Sequence, residues 1–279
     1  MIKSFIVTLI LTLLLISSIA FAKNRAIILS ESNALIINGP ISMETIGPLM
    51  QQALTLDKTL PLDSALYMVM ATPGGSIQAG LELIAFLNSL KHPVHTITIF
   101  SASMGFHVVQ QLKGERYILP FGTLMTHKAY GSFEGEFPGQ LDSRYGFYLR
   151  RLRAMDRIIV KRLGKSYTLK SYMALYANEF WVDGADAVRI GFADGLVKVR
   201  CDDTLSGTRE EKINFFGFKL KVTWSKCPMI LTPLKIEEDA PLPLTPDIEE
   251  RIRVEINKLM SPLKTPFSSR PIEKEPILR

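Results

Sequence analysis

Cysteine and histidine are scarce in this chain, which holds two of the first and four of the second. With so few ligands and none of them clustered, a structural or catalytic metal has nothing to be built from, and neither a metal nor a cofactor is expected. Long apolar runs are missing after residue 22, so the remainder has no segment that could cross a bilayer as a helix. A block of like charge is missing as well. The formal net charge of +6 is spread along the chain, which argues against a nucleic-acid partner and licenses no more than a weak attraction to anionic surfaces.

What is present begins with Met1-Ile2-Lys3 and an apolar run from Phe5 to Phe21 that ends in Ala20-Phe21-Ala22. One positive charge, a short apolar stretch and small residues at the minus-three and minus-one places describe a secretory signal peptide cut after Ala22. The other reading of the run is an uncleaved membrane anchor. Cleavage leaves enough chain for one large domain with appendages, or for two small ones, in the periplasm or outside the cell. Cys201 and Cys227 would then lie where disulfides persist. The strand-like stretches Lys212 to Phe216 and Lys219 to Trp224 between them suggest a cross-linked hairpin, against the alternative of two buried thiols.

Between these ends the pattern is of strands alternating with helices. Short strands at 26–38 precede a helix from Ser42 to Leu56 with Ser42 and Glu44 near its start. A continuous apolar strand, Leu66 to Ala71, stops at Thr72-Pro73-Gly74-Gly75-Ser76, and a helix runs from Ile77 to Leu90. A second strand, Val94 to Phe100, stops at Ser101-Ala102-Ser103-Met104-Gly105, which opens a helix through Leu112. Strands at Arg116 to Leu119 and Leu124 to His127 follow, then a glycine-bearing stretch from Gly131 to Gly139 and a long helix from Leu141 to Leu163. That helix sets seven Arg and Lys residues beside an apolar stripe and reads as a packed helix with a solvated face. Short helices at 167–177 and Asp186 to Ile190 lead to a strand at Gly195 to Val199. From Thr232 the chain is rich in proline, with one possible helix at Asp247 to Met260. The fold class is α/β with a parallel sheet, and such sheets bind ligands at the carboxyl ends of their strands. Gly74-Gly75 and Ser103 both lie at that edge.

A serine hydrolase needs a raised nucleophile, a base within hydrogen-bond reach and backbone donors aimed at the oxyanion. At Ser101-Ala102-Ser103-Met104-Gly105 the small neighbours permit a sharp turn, and the Met104 amide would stand at a helix amino end, where negative charge is favoured. Gly74-Gly75 lets a second stretch of backbone come close to a substrate.

Thr72-Pro73-Gly74-Gly75-Ser76 with Ala79-Gly80, then Ser101 to Gly105, then Met125-Thr126-His127, resemble in order and spacing the signature stretches of the Clp protease proteolytic subunit. The likeness runs from about Ala34 to Lys198, with 141–163 as the family's handle helix and Ala187 to Asp194 as its post-catalytic stretch. The resemblance implies a crotonase-like fold of stacked ββα units with a protruding handle helix, peptide-bond hydrolysis, and a homo-oligomeric ring. It implies Ser103 as nucleophile, His127 as base, and the amides of Gly75 and Met104 as oxyanion donors. The chain departs from the family at the acid: ungapped matching puts Glu179 where an aspartate is expected, with Asn178 and Asp183 as alternatives. His92, His95 and His107 fall outside this constellation and are expected to be structural or exposed.

The expected organisation is a signal peptide at 1–22, a catalytic domain at 23–200, a disulfide-linked hairpin at 201–231 and a proline-rich, partly disordered tail at 232–279. Outside the cytoplasm ATP is absent, so no ATPase partner is expected and the substrate would be a peptide or an unfolded protein segment. Three other readings stay open: a crotonase-type acyl-thioester enzyme, a serine–lysine dyad using Lys128, and an inactive scaffold binding through its tail.

Overall fold

The computed structural model describes residues 25–215, 218–238 and 250; the signal-peptide segment, the possible helix at 247–260 apart from Glu250, and most of the proline-rich tail lie outside them. No helix among the described residues is long and apolar enough to cross a membrane.

Strands β1 (Arg25–Leu29) and β2 (Ala34–Asn38) precede helix α1 (Met43–Thr59). Ser42 caps α1 as its sequence suggests: its side chain accepts from the Thr45 amide while Thr45 Oγ1 accepts from the Ser42 amide at 2.9 Å. Strand β3 (Leu66–Thr72), helix α2 (Ile77–Leu87), strand β4 (Val94–Ala102) and helix α3 (Met104–Gln111) repeat the alternation. Strand β5 (Arg116–His127) is followed by helices α4 (Gly139–Leu163) and α5 (Leu169–Leu175), strand β6 (Glu179–Asp183), helix α6 (Gly184–Arg189) and strand β7 (Gly195–Cys201). Strands β8 (Thr208–Phe215), β9 (Phe218–Ser225) and β10 (Lys235–Glu238) complete the described chain.

Seven strands form one sheet in the order β1-β7-β5-β4-β3-β2, with β6 added against β5. Pairing is parallel throughout except for β5 with β6. Continuous burial along β3 and β4 follows from being covered on both faces, as their apolar runs require. One face packs on the helices through Leu35, Met68, Leu83, Phe106, Ile159 and Phe192. The other face packs Ile27, Leu29, Val69, Ile97 and Val197 against Leu205, Cys227 and Met229.

Two features of the large sheet differ from the expectation, and beyond it β10, in the stretch read as tail, makes the expected hairpin a sheet of three strands. The stretches 116–119 and 124–127 are one strand with a bulge: between the pairs Thr98↔Ile118 and Phe100↔Thr123, β4 advances two residues and β5 advances five. Pro120 and Gly122 weaken strand character locally, and Phe121 is thrown outward to 94% exposure. Strand β6 was not foreseen, because it is five residues long and exposed on alternate positions, with Phe180-Trp181-Val182 between two acids, too short for its period to stand out.

The two cysteines form a disulfide, Cys201 at the end of β7 to Cys227 just after β9, closing a separation of 26 residues. Strands β8 to β10 make a second, antiparallel sheet anchored there. A loop of that length stabilises by about 3 kcal/mol through the unfolded chain.

A buried polar network ties β5 to the segment before β7. Arg116, 5% exposed, forks onto Asp194 through Nε at 3.0 Å and through Nη2, and its Nη1 donates to Gln110 Oε1 at 2.6 Å. Arg162 of α4 approaches Asp194 at 3.5 Å and donates to the Gly114 carbonyl at 2.6 Å. Burial alone would raise the Asp194 carboxyl, but hydrogen bonds and charge from Arg116, joined by the charge of Arg162, hold it below the ordinary carboxylate range. Its stabilising contribution is therefore complete above the unfolded value of about 3.9 and is lost as pH falls through the lower folded value. Asp194→Ala should cost about 3–5 kcal/mol at pH 7 by stranding a buried guanidinium. Urea unfolding at pH 7 and again near pH 3 checks this: the gap between variant and parent should narrow in acid, and an equal gap at both values would refute the assignment.

Candidate active site

The carboxyl end of β4 gives way to an abrupt reversal at Ser103, which has φ 54° and ψ −119°. Among the described residues it is the one non-glycine at positive φ, a conformation that costs a residue with a Cβ about 1–3 kcal/mol and persists where surrounding contacts enforce it. Those contacts are visible. The Ser103 amide donates to the Met125 carbonyl at 2.9 Å, and the Ser103 carbonyl accepts from the His107 amide at 3.3 Å. Ser103 does not cap α3 with its side chain; its hydroxyl is directed elsewhere.

It meets His127. Parallel pairing carries Ala102 opposite Met125, so the last residue of β5 stands beside the end of β4. His127 Nε2 lies 2.8 Å from Ser103 Oγ. Both side chains are half-buried, reachable by substrate yet shielded from bulk water.

The turn after β3 closes the other side. Gly74 (φ 94°) is packed so tightly that a Cβ there would lie 2.7 Å from Ser103 Cβ and 2.8 Å from the Met104 amide nitrogen. Gly75 (φ 145°) forms a parallel bridge with Ile41, in which Gly74 O accepts from the Ile41 amide and the Ser76 amide donates to Ile41 O. The neighbours' groups are thus spent on Ile41, and the N–H of Gly75 itself projects away from Ile41. Met104 opens α3, so its amide has no acceptor within the helix and stands at the positive end of the helix dipole. An apolar depression of about 420 Å³, lined by Ile99, Leu119, Phe121, Val199 and Met229 among others, includes none of these residues.

The acid is less well placed. In the antiparallel pair of β5 and β6, Glu179 is directly opposite His127, which sets their Cβ atoms about 5 Å apart on one face. The Glu179 carboxylate is exposed, however, and accepts from Trp181 Nε1 at 3.1 Å. Asp183 pairs with Thr123, four residues back along β5 and about 13 Å from His127. Asn178 is exposed and precedes the strand. Lys128 is exposed, and Ser103 Oγ contacts the imidazole rather than the ammonium.

With that geometry in view, the relatives can be named. The sequence profile of the Clp protease family matches residues 21–200. The chain belongs to that family. It is 26% identical over 174 residues to the ATP-dependent Clp protease proteolytic subunit of Streptococcus uberis, covering 61% of this chain and 87% of that one. The corresponding subunits of Streptococcus suis and Streptococcus gordonii are each 27% identical, over 173 and 175 residues, and cover 61% of this chain and 86% of their own. The fold is accordingly that of the Clp protease family, and the chain is a member of a serine protease family.

The other histidines divide. His92 is buried, with Nδ1 2.8 Å from Asp57 Oδ1 and Nε2 3.1 Å from the Pro61 carbonyl, and His95 lies between Tyr67 and Tyr117 with its ring tilted to both. His107 differs from the expectation: it sits one turn after Ser103 and close enough to His127 for the two rings to interact electrostatically. The i to i+4 spacing from the candidate nucleophile was the available signal.

Because glycine adopts the Ser103 backbone without a steric penalty and alanine does not, Ser103→Gly should be more stable than Ser103→Ala by about 1–2 kcal/mol. Paired urea titrations measure the difference, and equal midpoints would show that the turn is unstrained.

Proposed function

We propose that this chain is an exported serine peptidase that hydrolyses peptides or unfolded protein segments without an ATP-driven partner. The observation that carries the chemistry is the 2.8 Å contact of Ser103 Oγ with His127 Nε2 at a strained turn. Ser103 Oγ attacks the scissile carbonyl while His127 Nε2 takes its proton, and the oxygen that becomes negative accepts from the amides of Gly75 and Met104. Collapse of this intermediate breaks the C–N bond, His127 returning the proton to the leaving amine. Water, deprotonated by the same imidazole, then releases the acyl group from Ser103.

Glu179 is the third member in this reading. A rotation of its side chain from Trp181 toward His127 Nδ1, across the ladder position they share, would orient the imidazole and stabilise its charged form. That same outward carboxylate favours a second reading, a binding scaffold without turnover. Export is supported by the character of residues 1–22 and by the Cys201–Cys227 disulfide, which suits an oxidising compartment. Assembly into a ring is part of the proposal, on the strength of the family.

A fluorophosphonate probe applied to the mature protein should label Ser103 and nothing in Ser103→Ala. His127→Ala should lower the labelling rate by about 10,000-fold or more, and Glu179→Ala by at least about 100-fold. Absence of labelling in the parent would establish the scaffold, and peptide cleavage that required an added ATPase would refute independent action. For export, amino-terminal sequencing of protein recovered outside the cytoplasm should begin at Lys23; a start at Met1 would mean an uncleaved anchor.

A further inference from the structure

From Ser101 to Leu112 every residue is buried except Ser103 and His107. They are four residues apart, joined by the bond from the His107 amide to the Ser103 carbonyl, and His127, which touches the Ser103 hydroxyl at 2.8 Å, is also near enough to act electrostatically on the His107 ring. The two side chains therefore reach the same cleft. The His107 ring is packed against Phe106, edge to face with centroids 5.9 Å apart, and has protein around it on most sides while still touching solvent, as a group in the wall of a cleft does. Burial, and after it the charge that His127 can carry, pushes His107 down to about 4. The ring is neutral at any pH where an exported peptidase would ordinarily work.

A neutral imidazole offers one donor and one acceptor. Gln111 Nε2 lies 3.4 Å from His107 Nδ1, and an amide nitrogen donates, so Nδ1 is the acceptor and the proton resides on Nε2. That N–H has no acceptor among the described residues. A substrate residue whose carbonyl sat on the Met104 amide and whose side chain lay over α3 would meet this imidazole, the one side chain of that helix that is not buried.

Resting on the hydrolase reading above, we propose that His107 is a specificity-determining residue whose Nε2–H donates to an oxygen-bearing side chain, amide or carboxylate, on the substrate residue that supplies the scissile carbonyl. An apolar side chain of the same size leaves that donor without a partner once water is displaced, which sets the discrimination at about tenfold for one partly exposed hydrogen bond.

The test compares peptides carrying Gln, Glu or Met at that residue, Met being close to Gln in shape without the acceptor. In the parent enzyme kcat/KM should favour Gln over Met about tenfold, carried mainly in KM, and the Glu peptide separates an amide preference from a carboxylate one. His107→Phe should bring the Gln-to-Met ratio to one or below, and His107→Gln, which keeps an N–H donor, should restore a ratio above one. The same ratio should appear in the Kd values of Ser103→Ala measured by calorimetry. An unchanged ratio in His107→Phe, or a parent that favours Met, overturns the proposal. A ratio retained in Kd by a protein that no fluorophosphonate labels would instead sink the hydrolase reading and leave the His107 assignment standing.

Discussion

The backbone of Ser103 is held at a positive φ that its own side chain disfavours, and much of the surrounding architecture exists to hold it there. The Met125 carbonyl grips its amide from β5, and the first turn of α3 grips its carbonyl. Gly74 occupies the space that a Cβ would contest. Each restraint comes from a different element, so the reversal is over-determined, as a strained turn must be if it is to survive in a marginally stable domain. The hydroxyl, released from capping the helix, is free for the imidazole.

Strand β5 supplies that imidazole through a division of labour along its length. Its first half pairs in parallel with β7 and carries Arg116 into a buried ion-pair network. The bulge at 119–122 then shifts its register, and its second half pairs antiparallel with β6. A strand without the bulge would keep β7 as its neighbour to the end and leave no place for Glu179 opposite His127. The antiparallel exception in a parallel sheet is thus a consequence of the site's construction, and Asp194 with Gln110 secures the lower half against the cost of burying Arg116.

The second face of the sheet is finished by residues beyond the family's matched region. Leu205, Cys227 and Met229 pack on β1, β7 and the central strands, and the disulfide pins them. The sheet that carries the site at one edge thus has a covered core on its second face, and a covalent link secures that cover.

Much of this was legible in the order of residues. Apolar runs that stop at Gly74-Gly75 and at Ser103 locate two strand ends, because a buried parallel strand must be apolar throughout and must end where turn formers stand. The resemblance of those stops, and of Met125-Thr126-His127, to one family assigns them to a common edge. The disulfide follows from an even pair in a strand-rich segment. Other features depended on three-dimensional pairing. Whether Glu179, Asn178 or Asp183 neighbours His127 is a matter of ladder register, which a strand of five residues does not announce. The same is true of the bulge that joins two expected strands into one, since Pro120 and Gly122 read equally well as a turn. His107 was passed over because its meaning lies in exposure: α3 buries every other side chain. Local sequence thus determined most of the strands and helices and where the nucleophile's turn falls, since those follow from side-chain period and backbone preference. The tertiary structure alone decided which side chains share the cleft, because register, bulge and burial are set by contacts between residues far apart in the chain.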